Sequence, residues 1–333
     1  MNGPAGASRR DCHNRLDVRF LSHLCVGLLP VTTLKLMSMA DAISQWITDG
    51  CSVALGTTLE TAIPFAAGHE IMRQGKQGLT LIGPISDILF DQLIGAGCVS
   101  RVQAAWVGNV ITGVGYNFRR AVEQHRIDVE DHSNLTVSLA LQAGAMGVSF
   151  LPSRTALGSD LFAANPGLKH IACPFTGQKH AAIAAIVPDV AIVHVQRSDS
   201  FGNAHAWGNM GITREACMAS RRVILTAEEI VPTELITRDP NRVLAPGFKI
   251  SAVVHAPWGA HPSPMPGYYN RDHKVFLDYR TQSRTPELFA LWMNQWINAI
   301  SSIHHYAETL GDAHLASLSI THHDYSEPVD YGY

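Results

Sequence analysis

Between Cys51 and Pro257 the sequence repeats one pattern that leaves few folds open: a short apolar run, a stretch with helical spacing, then another apolar run. "CSVALG", "LTLIG", "VSRVQAAWVG" and "IDVED" read as strands in the first half, and "DVAIVHVQ", "RRVILTAE" and "ISAVVHAP" in the second. The stretches between them carry helix signals. "ADAISQWITDG" sets Ile43, Trp46 and Ile47 on one face and stops at Gly50, while "AIPFAAGHEIMRQG" has Pro64 in its first turn and Gly75 past its end. "SDILFDQLIGAG" offers Ser86 as N-cap, and "YNFRRAVEQH" leads into "IDVED". "NLTVSLALQAG" is apolar on nearly all sides and predicts a buried helix. Strands separated by helices pair in parallel, which predicts an α/β fold with an open, largely parallel sheet flanked by helices. "PELFALWMNQWINAISSIHHYAETL" reads as one long C-terminal helix. No repeat or linker divides the chain, so 39–333 is expected to be a single domain. Residues 1–38 read as a dispensable extension, with Met37 and Met39 as alternative starts.

Composition narrows the function. Hydrophobic residues make up 46% of the 333 residues and charged residues 16%, with a net charge of −3. The basic residues are scattered, which argues against nucleic acid as a partner. The apolar part of "LSHLCVGLLPVTTLKLM" is too short and interrupted to span a membrane, and nothing else comes near a span. Cys12, Cys25, Cys51, Cys98, Cys173 and Cys217 are irregularly spaced with no C-x-x-C pair, which reads as reduced thiols in a cytoplasmic protein. The 17 histidines include the pairs His304–His305 and His322–His323, but no H-E-x-x-H or comparable pattern, so no metal site is expected.

In an open α/β sheet, ligands bind beyond the carboxyl ends of the strands, which selects the loops as candidate site. These are Gly56-Thr57-Thr58, Gly83 to Ser86, Gly108-Asn109 and Glu130 to Asn134. They offer glycines, hydroxyls and amides, with no G-x-x-x-x-G-K-[ST], G-x-G-x-x-G or G-x-S-x-G among them. That describes a neutral, hydrogen-bonding cleft suited to a carbonyl or carboxylate, with Gly56, Thr57, Thr58, Ser86, Gly108, Asn109 and Ser133 as candidate substrate-binding residues.

"DGCSVALGTTLETAIP" resembles the N-terminal signature of the family I coenzyme A transferases: Asp49, Gly50, Val53, Ala54, Leu55, Gly56 and Pro64 match, whereas Thr57, Thr58 and Ala62 depart from it. "VEDHSNLTVSLALQAGAMGVSFLPSRTALGSDL", "VPDVAIVHVQRSDSFGNAHAWG", "TAEEIVP" and "APWGAHPSP" are similar to α subunits of the glutaconate-transferase type. The resemblance covers roughly Ala40 to Asp278. It implies the open sheet shared with ribose-phosphate isomerases and glucosamine-phosphate deaminases, coenzyme A as substrate with no bound cofactor, and a β-subunit partner. The nucleophilic glutamate is implied to sit on that β subunit in a Glu-Asn-Gly-like setting, and this chain has no such tripeptide.

The resemblance also implies that Asn134 stands where related transferases carry an amide that helps bind the thioester oxyanion. Read from the residues alone, Ser133 or Asn134 instead caps the helix that follows. Glu130 and Asp131 read as strand-end charges and His132 as a bystander without an assignable partner. Glu60 reads either as a first-turn complement to a helix dipole or as a local base. Thr176 and Lys179 in "FTGQKHAAIAAIVPD" read as a solvated turn or as contacts for CoA phosphates. The Gly-, Pro- and aromatic-rich "APWGAHPSPMPGYYNRDH" reads as a lid, a rigid loop or a subunit contact. Three functions stand open: a CoA-transferase α subunit, a subunit of a CoA-ester or ring-cleaving hydrolase on the same scaffold, and a non-catalytic ligand-binding module.

Overall fold

Most strand-forming runs are apolar at successive positions, so the side chains on both faces of the sheet find a core. A computed structural model of the chain describes residues 33–320. In chain order its strands are β1 (Ser52–Ala54), β2 (Leu79–Gly83), β3 (Val99–Ala104), the small hairpin β4 (Gly108–Asn109) and β5 (Gly113–Val114), and β6 (Asp128–Asp131). Then follow β7 (Phe150–Ser153), β8 (Leu168–Ala172), β9 (Lys179–Ala184), β10 (Val190–Ser198), β11 (Ala204–His205), β12 (Arg222–Ile230) and β13 (Ala252–His255). The main sheet is eight-stranded, with the order β13-β12-β10-β1-β2-β3-β6 and β11 antiparallel to β10. All pairs along that order are parallel, as the alternation predicts. The direction of strand addition reverses between β1 and β10, which is the topological switch point.

Helices α1 (Met39–Trp46), α2 (Phe65–Arg73), α3 (Leu89–Gly95), α4 (Tyr116–Glu123) and α5 (Asn134–Met146) follow the expected segments; α6 (Leu161–Ala164) and α7 (Thr213–Ala219) come later. Val53, Leu81, Ile192, Ile224 and Val254 point into one core with residues of α1, α2 and α3; Ala54, Ile82, Val193, Leu225 and Val253 point into another with residues of α5 and α7. The period of two along each strand divides these cores.

Three sequence expectations need correction. Helix α5 is not buried on all sides: Val137, Ala140, Leu141 and Ala143 are buried, whereas Leu135 and Met146 are 51% and 60% exposed. Its uniformly apolar composition covers a core-facing side and a side that this chain leaves uncovered. The C-terminal segment is not one helix: Pro286–Met293 passes into a π-helical turn at Asn294–Asn298, the helix lapses, and Ile303–Leu310 starts afresh. The restart has a local cause, because the Ser302 hydroxyl accepts from His305 N at 3.1 Å. Residues 150–184 form an unforeseen antiparallel sheet, order β7-β9-β8, with Lys179 at the start of β9. At the other edge, Leu36 bridges Val253 in parallel fashion, Met37 N donates to Val253 O and Val253 N to Lys35 O, so residues 35–37 are tied to β13. Residues 1–32, which make up most of the expected extension, lie outside the described residues, as do His322 and His323.

Candidate active site

The switch point fixes where the loops meet. Gly56, just past β1, has φ +66°, and a Cβ there would collide with Ser86. This close approach lets the Ser86 hydroxyl donate to Leu55 O at 3.0 Å. Ser86 therefore joins the first two loops; it does not cap α3, whose first turn is preceded by Ile88 with no side-chain cap. The Thr57 and Thr213 hydroxyls bond each other at 2.8 Å, the Thr58 hydroxyl donates to Thr61 O, and Asn209 Nδ2 donates to Thr58 O at 3.1 Å.

The arm 256–272 lies over these loops. Ala62 N donates to Pro264 O, Ala66 N to Gly259 O, and the Ser263 hydroxyl to Glu60 O. Thr57, Thr58 and Ser86 are 3%, 7% and 0% exposed. Their hydrogen-bonding capacity is committed inside the chain. The Thr61 hydroxyl, buried in the same loop, has no hydrogen-bond partner among the described residues.

Arg271, from the end of the arm, joins two carboxylates. Its Nη1 donates to Asp87 at 2.8 Å and its Nη2 to Glu60 Oε2 at 3.2 Å and to Glu60 O at 3.1 Å. Asp87 is buried in a left-handed conformation (φ +51°) and also accepts from Asn109 Nδ2 at 2.5 Å. Burial pushes its carboxyl up to about 6, against the pull of Arg271 and Asn109. Asn109 Oδ1 accepts from Ile111 N and Thr112 N, so its amide shapes the β4–β5 turn. Gly108, beside it, is packed so tightly against Gly113 and Val114 that a Cβ would clash with their backbone. Glu60 precedes α2 by several residues, outside its first turn, and is ion-paired with Arg271. The pair Asp87–Arg271 carries no sequence signal: its members are 184 positions apart.

At the carboxyl end of β6 the arrangement differs. His132 is buried, with Nδ1 at 3.2 Å from the Thr136 hydroxyl and Nε2 at 3.2 Å from Glu130 Oε1. Glu130 also accepts from Gln103 Nε2 at 3.0 Å. The His132 hydrogen bond, helped by that of Gln103, outweighs burial and draws the Glu130 carboxyl below its usual range. His132, read as a bystander, thus has partners, and Asn165 Nδ2 lies within 3.1 Å of its ring while donating to Asp131 O. Asp131 is exposed.

The cap of α5 is Ser133. Its hydroxyl accepts from Thr136 N at 3.1 Å, and the Thr136 hydroxyl accepts from Ser133 N at 2.8 Å, a reciprocal capping box. Asn134 is the first helical residue, is exposed, and its side chain has no hydrogen bond among the described residues. β6 stands three strands from β1, about 14 Å at the usual inter-strand spacing. The structure thus brings Gly56, Thr57, Thr58 and Ser86 together, sets Gly108 and Asn109 beside them through Asp87, and keeps Ser133 and Asn134 apart.

Residues 36–256 match the family profile described as coenzyme A transferase. The chain belongs to the coenzyme A transferase family. Over 267 residues this transferase chain is 39% identical to the A subunit of 3-oxoadipate CoA-transferase from Pseudomonas knackmussii, covering 79% of this chain and 93% of that one. It is 32% identical over 303 residues to the A subunit of glutaconate CoA-transferase from Acidaminococcus fermentans, covering 86% and 95%. The crystal structure of glutaconate coenzyme A-transferase from that organism superimposes with a TM-score of 0.81 over 86% of this chain and 96% of that one. A cholesterol ring-cleaving hydrolase IpdA subunit from Rhodococcus jostii is 26% identical over 79% of this chain and 92% of its own length. As the resemblance implied, the transferase chain has the open, mostly parallel sheet of the family. Among its described residues no helix is long and apolar enough to cross a membrane.

Proposed function

We propose that this chain is the α subunit of a heteromeric, cytoplasmic CoA-transferase that moves CoA from an acyl-CoA to a carboxylic acid, with the nucleophilic glutamate supplied by a β subunit. In the first step the partner's glutamate carboxylate attacks the thioester carbonyl. CoA leaves as thiolate and a mixed anhydride forms. The thiolate then attacks the glutamyl carbonyl, releasing the first acid and leaving a glutamyl-CoA thioester. The acceptor acid runs the same steps in reverse. Each attack places negative charge on a carbonyl oxygen, and a neutral amide donor there lowers the barrier.

The observation that carries this reading is Asn134: an exposed amide, freed from capping by Ser133, with no hydrogen bond to its own chain among the described residues. The uncovered side of α5, with Leu135 and Met146, continues toward Val148 and Phe150, 39% and 43% exposed, and offers the partner an apolar face beside that amide. Coenzyme A enters as substrate and no resident cofactor is required. Both A-subunit relatives carry a dicarboxylic acid in their names, so we take a short dicarboxylic acid as the acceptor class. The similarity to a ring-cleaving hydrolase subunit supports a second reading, hydrolysis on the same scaffold.

Co-expression with a β chain from the same organism separates these. Transfer requires that CoA appears on the acceptor acid only when that acid is added, and that this chain alone turns over nothing. Release of free CoA at the same rate without acceptor supports hydrolysis and ends the transferase reading. Full activity of the single chain ends the subunit reading.

A further inference from the structure

In the arm 256–272 a buried carboxylate meets two imidazoles. Asp272 Oδ2 lies 3.2 Å from His261 Nε2 and 2.5 Å from His314 Nε2. The three donor atoms all fall within 4.8 Å of one another. His261 and Asp272 are 1% and 2% exposed, whereas the His314 side chain, on the helix Asp312–Leu318, is 33% exposed and gives the group an approach from solvent.

The remaining polar atoms of the two buried residues are held from outside. His261 Nδ1 is 2.9 Å from the Tyr306 hydroxyl, and Asp272 Oδ1 accepts from Val275 N at 3.2 Å. Outer partners of this kind fix the orientation of metal-ligating side chains. Among the described residues, the ion pairs of Asp272 are with these two histidines alone. Burial pushes its carboxyl up, yet hydrogen bonds from His261 and His314 outweigh this and hold it well below the usual carboxylate range. Burial also draws the His261 imidazole down, which favours its neutral form. The group therefore holds a carboxylate and two imidazoles with their donor atoms side by side, two of the three residues being buried.

We propose that His261, Asp272 and His314 bind one divalent transition-metal ion, Zn2+ by donor set, with water completing the coordination on the exposed side of His314. Two imidazoles and a carboxylate suit Zn2+. Tetrahedral bonds of about 2.0–2.1 Å space donors roughly 3.3 Å apart, so side-chain adjustments of about 1 Å suffice. In the metal form His261 carries its proton on Nδ1 and donates it to Tyr306. The ion would pin the helix Asp312–Leu318 to the arm, one residue from Arg271. The site is separate from Asn134 and stands whether or not the transferase reading does.

The test uses the full chain, stripped by chelator and titrated with Zn2+ or Co2+, with metal content measured by mass spectrometry after desalting. About one ion per chain should be retained, with Tm rising by roughly 4 °C at a hundredfold excess over Kd. His314→Gln leaves the buried pair in place and should lower retention at least about tenfold, and Asp272→Asn should abolish it. His304→Gln, at an exposed position, should change nothing. Retention below about 0.1 ion per chain, or equal retention in His314→Gln and the wild type, overturns the proposal. If Asp272→Asn does not fold, His314→Gln decides alone.

Discussion

The carboxyl edge of one sheet carries two kinds of loop. After β1 and β2, the side chains of Thr57, Thr58, Ser86 and Asp87 are bonded within the chain, Asp87 to Arg271 of the arm 256–272 and to Asn109 of β4. After β6, the capping duty falls to Ser133 and Asn134 is left with an open amide. Position on a favourable edge is thus not the same as availability. The first region uses its polar groups to hold loops together; the second leaves one without a bond to its own chain among the described residues.

Removing the Arg271 charge should produce the largest effect if the first region is scaffold. Arg271→Met leaves Asp87 buried without its partner, and unfolding in urea should show a loss of about 3–5 kcal/mol. A loss under about 1 kcal/mol would mean that the arm is not anchored there. In the second region the sign reverses. Asn134→Ala should lower turnover of the reconstituted complex at least about tenfold, while stability from urea unfolding stays within about 0.5 kcal/mol of wild type. Equal damage to stability and turnover would erase the distinction between the regions. Ser133→Ala should do the opposite at smaller scale, costing about 1 kcal/mol of stability through the lost cap with turnover held within twofold or so of wild type.

A further test of the first region is a pH dependence. The Asp87 carboxyl is raised in the folded chain to about 6 from an ordinary 3.8. The folded state therefore holds the proton more tightly. The associated stability is fully present below pH 3.8 and is lost as pH rises through about 6. The wild-type stability minus that of Asp87→Asn should fall across that window. Taking the difference cancels the carboxyl of Glu130, which is shifted the other way. A difference that is flat with pH would show that Asp87 is not desolvated as the fold requires.

What the sequence discloses follows the range of the interactions. Most strands of the main parallel sheet are runs rich in Val, Ile, Leu and Ala, and the apolar run suffices to find them, whereas β3 and β6 carry polar residues and are found by their place in the alternation of strands and helices. β7, β8 and β9 are short and mix Pro152, His170, Lys169 and His180 among their apolar residues, so no alternation marks them. The C-terminal helix reads as longer than it is because "INAISSI" keeps an apolar spacing, while Ser302 makes a local cap that spacing does not reveal. Asn134 stands out by resemblance; composition alone does not separate it from Ser133, and the capping geometry does. Arg271 and Asp87 escape a sequence reading, since an ion pair between a Gly-Pro loop and a distant arm leaves no local mark. His261, Asp272 and His314 escape it too, because their spacing matches no familiar ligand pattern, and only the folding of the arm against the C-terminal helix brings them together.

The short pairing of residues 35–37 with β13 acts as a hem on the last strand of the main sheet. A product initiated at Met39 would lack that hem, and the backbone of Ala252–His255 would present an unpaired rail to any neighbouring copy. Such a shortened chain is expected to self-associate through that rail on concentration, a solubility defect that arises at the opposite edge of the sheet from β6.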